Sequence, residues 1–166
     1  MDQMMGLLKV RVLRGKNLVV RDVRTSDPYV VIKMGDQKLK TGVVKKSINP
    51  EWNDDLTLSV VDPAQPIKLV VYDKDTFSVD DPMGNADFDL RPFLEAVRMR
   101  SAGAADEAVA KKVGPGRSNC LAEESSIYVA AGGELVQDVV LRLRDVESGE
   151  VELRLQWVEL PNRWVF

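Results

Sequence analysis

Alternation with a period of two is the strongest constraint on this chain. Leu7 to Leu13 reads LLKVRVL, apolar and basic in turn, which places one face of an extended strand in a core and the other in water. The same reading gives strands at 28–34 (PYVVIKM), 37–44 (QKLKTGVV), 56–61 (LTLSVV), 67–73 (IKLVVYD) and 83–90 (MGNADFDL). Residues 138–160 read as a hairpin of two more, turning at Glu147-Ser148-Gly149. Eight short strands with turn signals such as Asn49-Pro50 and Asp62-Pro63 predict an all-β, eight-stranded antiparallel β-sandwich.

Residues 91–133 break the alternation and are read as an insertion between the sixth and seventh strands of a single domain spanning 1–166. Pro92 suits a first helical turn, and Phe93, Leu94, Val97 and Arg98 fit one helical face. The remainder is rich in Gly, Ser and Glu, with an apolar island IYVAA at 127–131 and few obvious core positions.

Charge and composition exclude several functions. The net charge is −3, so no global basic field points to nucleic acid. No histidine is present, which excludes Ser-His and Cys-His catalysis and imidazole-ligated zinc. The single cysteine, Cys120, allows no internal disulfide and suits a reducing compartment. Neither a signal peptide nor an apolar run of spanning length is recognisable, so membrane contact is expected to be peripheral.

Against that background the aspartates stand out. Asp73, Asp75, Asp80 and Asp81 crowd the end of one strand, and Asp22 and Asp27 lie in another loop. Aspartate at strand ends is commonly a turn former. Two such loops at one end of a sandwich would instead form an oxygen-rich cup suited to calcium, with repulsion relieved by the ion. A basic segment follows, with Lys33, Lys38, Lys40, Lys45 and Lys46 against one acid, Asp36. Lys38 and Lys40 share a strand face, which either protects a sheet edge or meets an anionic headgroup.

SDPYV (26–30), NPEWN (49–53) and YDKD (72–75), with Asp81 eight residues after Asp73, resemble the C2 domain, a calcium-dependent phospholipid-binding sandwich. The start of the chain, and a strand expected after the hairpin, resemble the circularly permuted, phospholipase-C-like topology. The resemblance implies about two calcium ions on Asp22, Asp27, Asp73, Asp75 and Asp81, with backbone carbonyls near Arg21 and Lys74. It places a lipid-headgroup groove on Tyr29, Lys38 and Lys40, with Val31 where a further basic residue is expected and Asp80 adding an adverse charge. Phe77 and Val79 fall at the loop tip that would enter a bilayer.

From its N-terminal run to the closing LRLQWVELP, the chain is similar to the plant C2-domain abscisic-acid-related family, which includes small GTPase-activating proteins. That likeness implies binding to anionic phospholipid, recruitment of abscisic-acid receptors, stimulation of a YchF-type G protein, and roles in stress and defence. It also implies cytosolic, peripheral plasma-membrane and nuclear pools. Arg98, Arg100 and Arg117 on the insertion are candidate partner contacts or arginine fingers. Two other readings are a protein-interaction module with secondary lipid binding, and a magnesium-dependent phosphatase using Asp73 and Asp75.

Overall fold

The computed structural model describes residues 5–20 and 26–159. Two antiparallel sheets face each other. The strands are β1 (Gly6–Lys16), β2 (Pro28–Met34), β3 (Gln37–Lys40), β4 (Glu51–Val60), β5 (Ile67–Asp73), β6 (Asp81–Phe88), β7 (Lys111–Val113), β8 (Ser125–Val129), β9 (Leu135–Arg142) and β10 (Glu150–Val158). Helices α1 (Arg91–Ser101) and α2 (Asp106–Val109) lie between β6 and β7. One sheet runs β4-β1-β10-β9-β8-β7 and the other β3-β2-β5-β6. The first and last of these strands are neighbours, with Leu7 opposite Val158 and Lys16 opposite Glu150. A strand after the hairpin would fall at 160–166, outside the described residues.

Alternation becomes packing directly. In β1, Leu8, Val10 and Val12 are fully buried, while Arg11 between them is exposed. The facing side chains of the other sheet, Val30, Ile32, Leu69 and Val71, are also almost wholly buried, and together they form one core. All the strand pairings among the described residues are antiparallel. That removes the parallel sheet and crossover helices that a phosphatase built around Asp73 and Asp75 would need.

Three expectations need correction. The strand expected over 37–44 ends at Lys40. The ladder becomes irregular there: the Thr41 N–H still donates to the Val30 carbonyl at 2.9 Å, but the Val30 N–H is taken by the Thr41 hydroxyl at 2.9 Å in place of a backbone carbonyl. Ten strands are present among the described residues rather than eight, because the insertion contributes β7 and β8, the latter containing part of the IYVAA island.

The insertion is also richer in core positions than its sequence suggests. Phe93, Leu94, Ala96, Val97, Val109, Leu121 and Ile127 are all buried. Phe93 meets Trp157 of β10 edge to face, ring centroids 6.4 Å apart. Arg98 leaves the apolar face of α1 and pairs with Glu95.

Candidate functional site: the β5–β6 loop and the face beside it

The end of the sandwich is set by two short motifs that lock together. Trp52 of NPEWN is buried and its indole N–H donates to the Pro28 carbonyl of SDPYV at 3.0 Å. Asn49 Oδ1 accepts the Asn17 N–H at 2.9 Å, so the end of β1 and the turn before β4 are tied together. Gly15 packs closely here: a Cβ would lie 3.2 Å from the Trp52 ring and 3.1 Å from Leu18, so either neighbour would have to give by a few tenths of an ångström. These contacts fix where the chain re-enters the sheet at Asp27.

Asp27 and Asp73 are stitched to one another. The Asp27 N–H donates to Asp73 Oδ1 at 2.8 Å, and the Lys74 N–H donates to the Asp27 carbonyl at 2.9 Å. Asp27 Oδ1 accepts the Lys46 N–H at 2.8 Å. Asp73 is 2% exposed, whereas Asp81, its register partner across β5 and β6, is exposed. The two strands therefore bring a buried and an exposed carboxylate to the same rung.

Between them the loop organises its own acids. Asp75 Oδ1 accepts the Phe77 N–H at 2.9 Å and Oδ2 accepts the Ser78 hydroxyl at 2.7 Å. These donors, the Phe77 amide first, hold the Asp75 carboxyl below the usual range. Asp80 accepts the Asp75 N–H at 2.8 Å and the Tyr29 hydroxyl, and lies 3.9 Å from Lys74 Nζ. The Asp75 amide, then Tyr29, lowers its pKa too. Charge crowding is thus offset by loop N–H and O–H groups.

Four of the five carboxylates expected in the cup, Asp27, Asp73, Asp75 and Asp81, lie among the described residues. Asp22 and Arg21 lie outside the described residues, and among those described no three acidic groups are already gathered around a cation position. The physical reason is visible at Asp75, whose two oxygens are turned to its own loop. The donor set still fits a hard cation: Asp27 and Asp73 are joined, Asp81 shares the rung, Asp75 is two residues on, and all offer oxygen. A bound ion would compete with the Phe77 amide and Ser78 hydroxyl for Asp75.

At the tip, Phe77 is 97% and Val79 87% exposed, far more than any other large apolar side chain described. No described part of the chain covers these two.

The outer face of the smaller sheet carries the basic residues. Lys38 and Lys40 both project outward from β3 and are exposed. Lys33 of β2 sits opposite Lys38 on one side and Lys68 of β5 on the other. Three lysines therefore form a row across three strands. Lys68 carries no signal in the sequence, because its place beside Lys33 depends on the β2–β5 register. Val31 is buried, and Tyr29 stacks on Tyr72 with centroids 5.7 Å apart. The Tyr29 hydroxyl is occupied by Asp80, so the aspartate expected to repel headgroups also clamps the tyrosine expected to bind them. Its phenol is pushed up to about 12, by burial first and the Asp80 bond second.

The three insertion arginines differ. Arg98 is paired with Glu95, and Arg100 donates to the Gly133 carbonyl. Arg117 is exposed on the segment between β7 and β8.

A sandwich with this loop end defines a class. A family model described as C2 domain matches residues 6–103, and the chain belongs to the C2 domain family. Within that class it belongs with the plant C2-domain ABA-related proteins. It is 63% identical over 162 residues to GTPase activating protein 1 of Oryza sativa subsp. japonica, covering 98% of this chain and 97% of that one. It is 56% identical to Protein C2-DOMAIN ABA-RELATED 4 of Arabidopsis thaliana, covering 98% and 91%.

Solved structures agree on the fold. A C2 domain of plant extended synaptotagmin 1 superposes with a TM-score of 0.64 at 24% identity, covering 96% of this chain and 99% of that one. A calcium-bound pair of C2 domains from extended synaptotagmin 2 gives 0.65 at 21% identity, over 96% of this chain. The chain spans about half of that structure, 48%.

Proposed function

We propose that this protein is a calcium-dependent, peripheral membrane adaptor that brings signalling partners to anionic phospholipid. One observation carries the reading. The rung holding Asp73 and Asp81, with Asp27 bonded to Asp73, lies directly beneath a loop whose Phe77 is 97% exposed. Asp22, Asp27, Asp73, Asp75 and Asp81 would hold about two calcium ions, with carbonyls near Arg21 and Lys74. The ions would supply positive charge to a carboxylate-rich loop and share lipid phosphate oxygens. Phe77 and Val79 provide the apolar contact, and Lys38, Lys40, Lys33 and Lys68 draw the neighbouring face toward anionic lipid.

The relatives' names support a partner role. We infer from "GTPase activating protein 1" that the chain stimulates a G protein, and the family resemblance makes that a YchF-type G protein. The "ABA-related" names support a place in abscisic-acid signalling, with abscisic-acid receptors as partners and stress and defence as the setting. The chain would act without covalent chemistry of its own, moving between cytosol, plasma membrane and nucleus. Arg117 is the insertion arginine best placed to reach a partner, because Arg98 and Arg100 already have bonds within the chain.

Co-sedimentation with phosphatidylserine vesicles tests the site. Asp73→Asn is a poor single probe because Asp73 is buried and accepts the Asp27 N–H. The Asp75→Asn/Asp81→Asn double variant is expected to stay folded and to lose calcium-dependent binding. Undiminished calcium-dependent sedimentation of that variant would refute the assignment.

A further inference from the structure

We infer that the insertion builds a second site, a pocket for the phosphoryl end of a small anionic ligand, walled by Arg117, Arg142 and Arg144. The pocket has a volume of about 560 Å³ and lies between the 115–121 segment and residues 142–144. That volume is within the range of small-molecule sites, roughly 300–1,000 Å³. Its lining contains three arginines and, among the described residues, no aspartate or glutamate. Two of these guanidinium groups, those of Arg117 and Arg142, have no carboxylate partner among the described residues, and the third, Arg144, is paired with Asp87.

The three arginines are arranged for this role. Arg144 is oriented by Asp87 at 3.1 Å and by Asn85 Oδ1 at 3.0 Å. The side chains of Arg117 and Arg142 have no hydrogen-bond or ion-pair partner among the described residues, and both are exposed. The opposite wall is fixed in advance. Asn119 Oδ1 accepts the Gly116 N–H at 3.0 Å and the Leu121 N–H at 3.2 Å, while its Nδ2 donates to the Gly114 carbonyl at 3.1 Å. The Arg142 N–H in turn donates to the Cys120 carbonyl at 2.7 Å, tying the segment to β9.

Guanidinium forks match phosphate oxygens two at a time, and three of them suit a group with two or more negative charges better than a single carboxylate. A second cavity of about 270 Å³ adjoins the first, sharing Asn119, Cys120 and Leu121, and offers Phe88 and Leu141 to the organic body of such a ligand, while its two carboxylates, Asp87 and Asp89, are paired with Arg144 and Arg91. This pocket is separate from the β5–β6 loop and its binding needs no calcium.

The probe is inorganic pyrophosphate, titrated calorimetrically into the full chain with a calcium chelator present. Saturable binding is expected, weakened at least about tenfold by Arg117→Ala and by Arg142→Ala and unchanged by Asp75→Asn. Bound pyrophosphate should also slow alkylation of Cys120, which lines both cavities. Matched thermal unfolding of the arginine variants excludes misfolding as the cause.

Calcium-free phosphatidylcholine vesicles carrying a phosphatidylinositol bisphosphate identify the source. Vesicle binding weakened by Arg142→Ala makes the ligand a lipid headgroup, and vesicle binding indifferent to it makes the ligand soluble. No pyrophosphate binding, binding retained in both arginine variants, or binding abolished instead by Lys33→Ala would overturn the proposal.

Discussion

Tyr29 shows how one residue couples the loop to the sheet. Its ring stacks on Tyr72 and its hydroxyl donates to Asp80, which in turn accepts the Asp75 N–H. The phenol is harder to ionise than in an unfolded chain, about 12 against 10.0. Because the folded state binds that proton more tightly, its stabilising contribution is complete below pH 10 and is lost as pH rises from about 10 to 12. Alkaline unfolding should therefore steepen across that window, and Tyr29→Phe should make it shallower, with Tyr128, also raised by its bond to Asp138, supplying the remainder. Phenolate absorbance should show two of the three tyrosines titrating late, Tyr29 and Tyr128, whose hydroxyl donates to Asp138, and Tyr29→Phe should leave one.

Phe77 makes the complementary case. At 97% exposure it contributes little to folding, so Phe77→Ser should leave the melting temperature unmoved. Half-insertion of such a ring into lipid is worth about 1 kcal/mol, so the same change should reduce calcium-dependent vesicle partitioning roughly fivefold. The places of Tyr29 and Phe77 were legible in SDPYV and in the stretch after YDKD. The bond that joins Tyr29 to Asp80 was not, because it links residues 51 apart in sequence.

Among the elements, α1 is a structural part of the sandwich. Phe93 is wholly buried against Trp157. Truncating it to alanine opens a cavity, and the expected cost is about 3–5 kcal/mol, a large share of a typical domain's stability. Denaturant unfolding of Phe93→Ala measures this directly. A loss below about 1 kcal/mol would show that α1 does not complete the core. The apolar spacing of α1 was readable, since Phe93, Leu94 and Val97 follow helical periodicity. Leu121 and Ile127 were not, because short elements joined by irregular turns give no repeating pattern to recognise. Their burial follows from β8 joining the edge of β9 and from the Leu121–Leu141 bridge.

The whole molecule carries a lysine row across one face despite its negative net charge. Lys33 between Lys38 and Lys68 is a cross-strand repulsion, which costs a fraction of a kcal/mol. Lys33→Gln should therefore stabilise the free protein by about 0.2–1 kcal/mol. It should also weaken binding to anionic vesicles about fivefold, most strongly at low salt. Opposite signs in the two measurements would separate a binding role from simple edge protection, in which vesicle affinity would not change.

The sequence by itself determined the two-sheet class, the strands at 28–34 and 67–73, the helix start at Pro92 and the acids of the β5–β6 loop. Each depends on spacing within a few residues, where side-chain direction follows from backbone period. Tertiary structure decided what distant pieces do together. It joined Asp27 to Asp73, turned Asp80 onto Tyr29, and set Lys68 beside Lys33. It also folded the 115–121 segment over Arg142 and Arg144. These outcomes rest on register and on how the chain crosses between sheets, and a one-residue shift in register would have reversed which face each side chain meets.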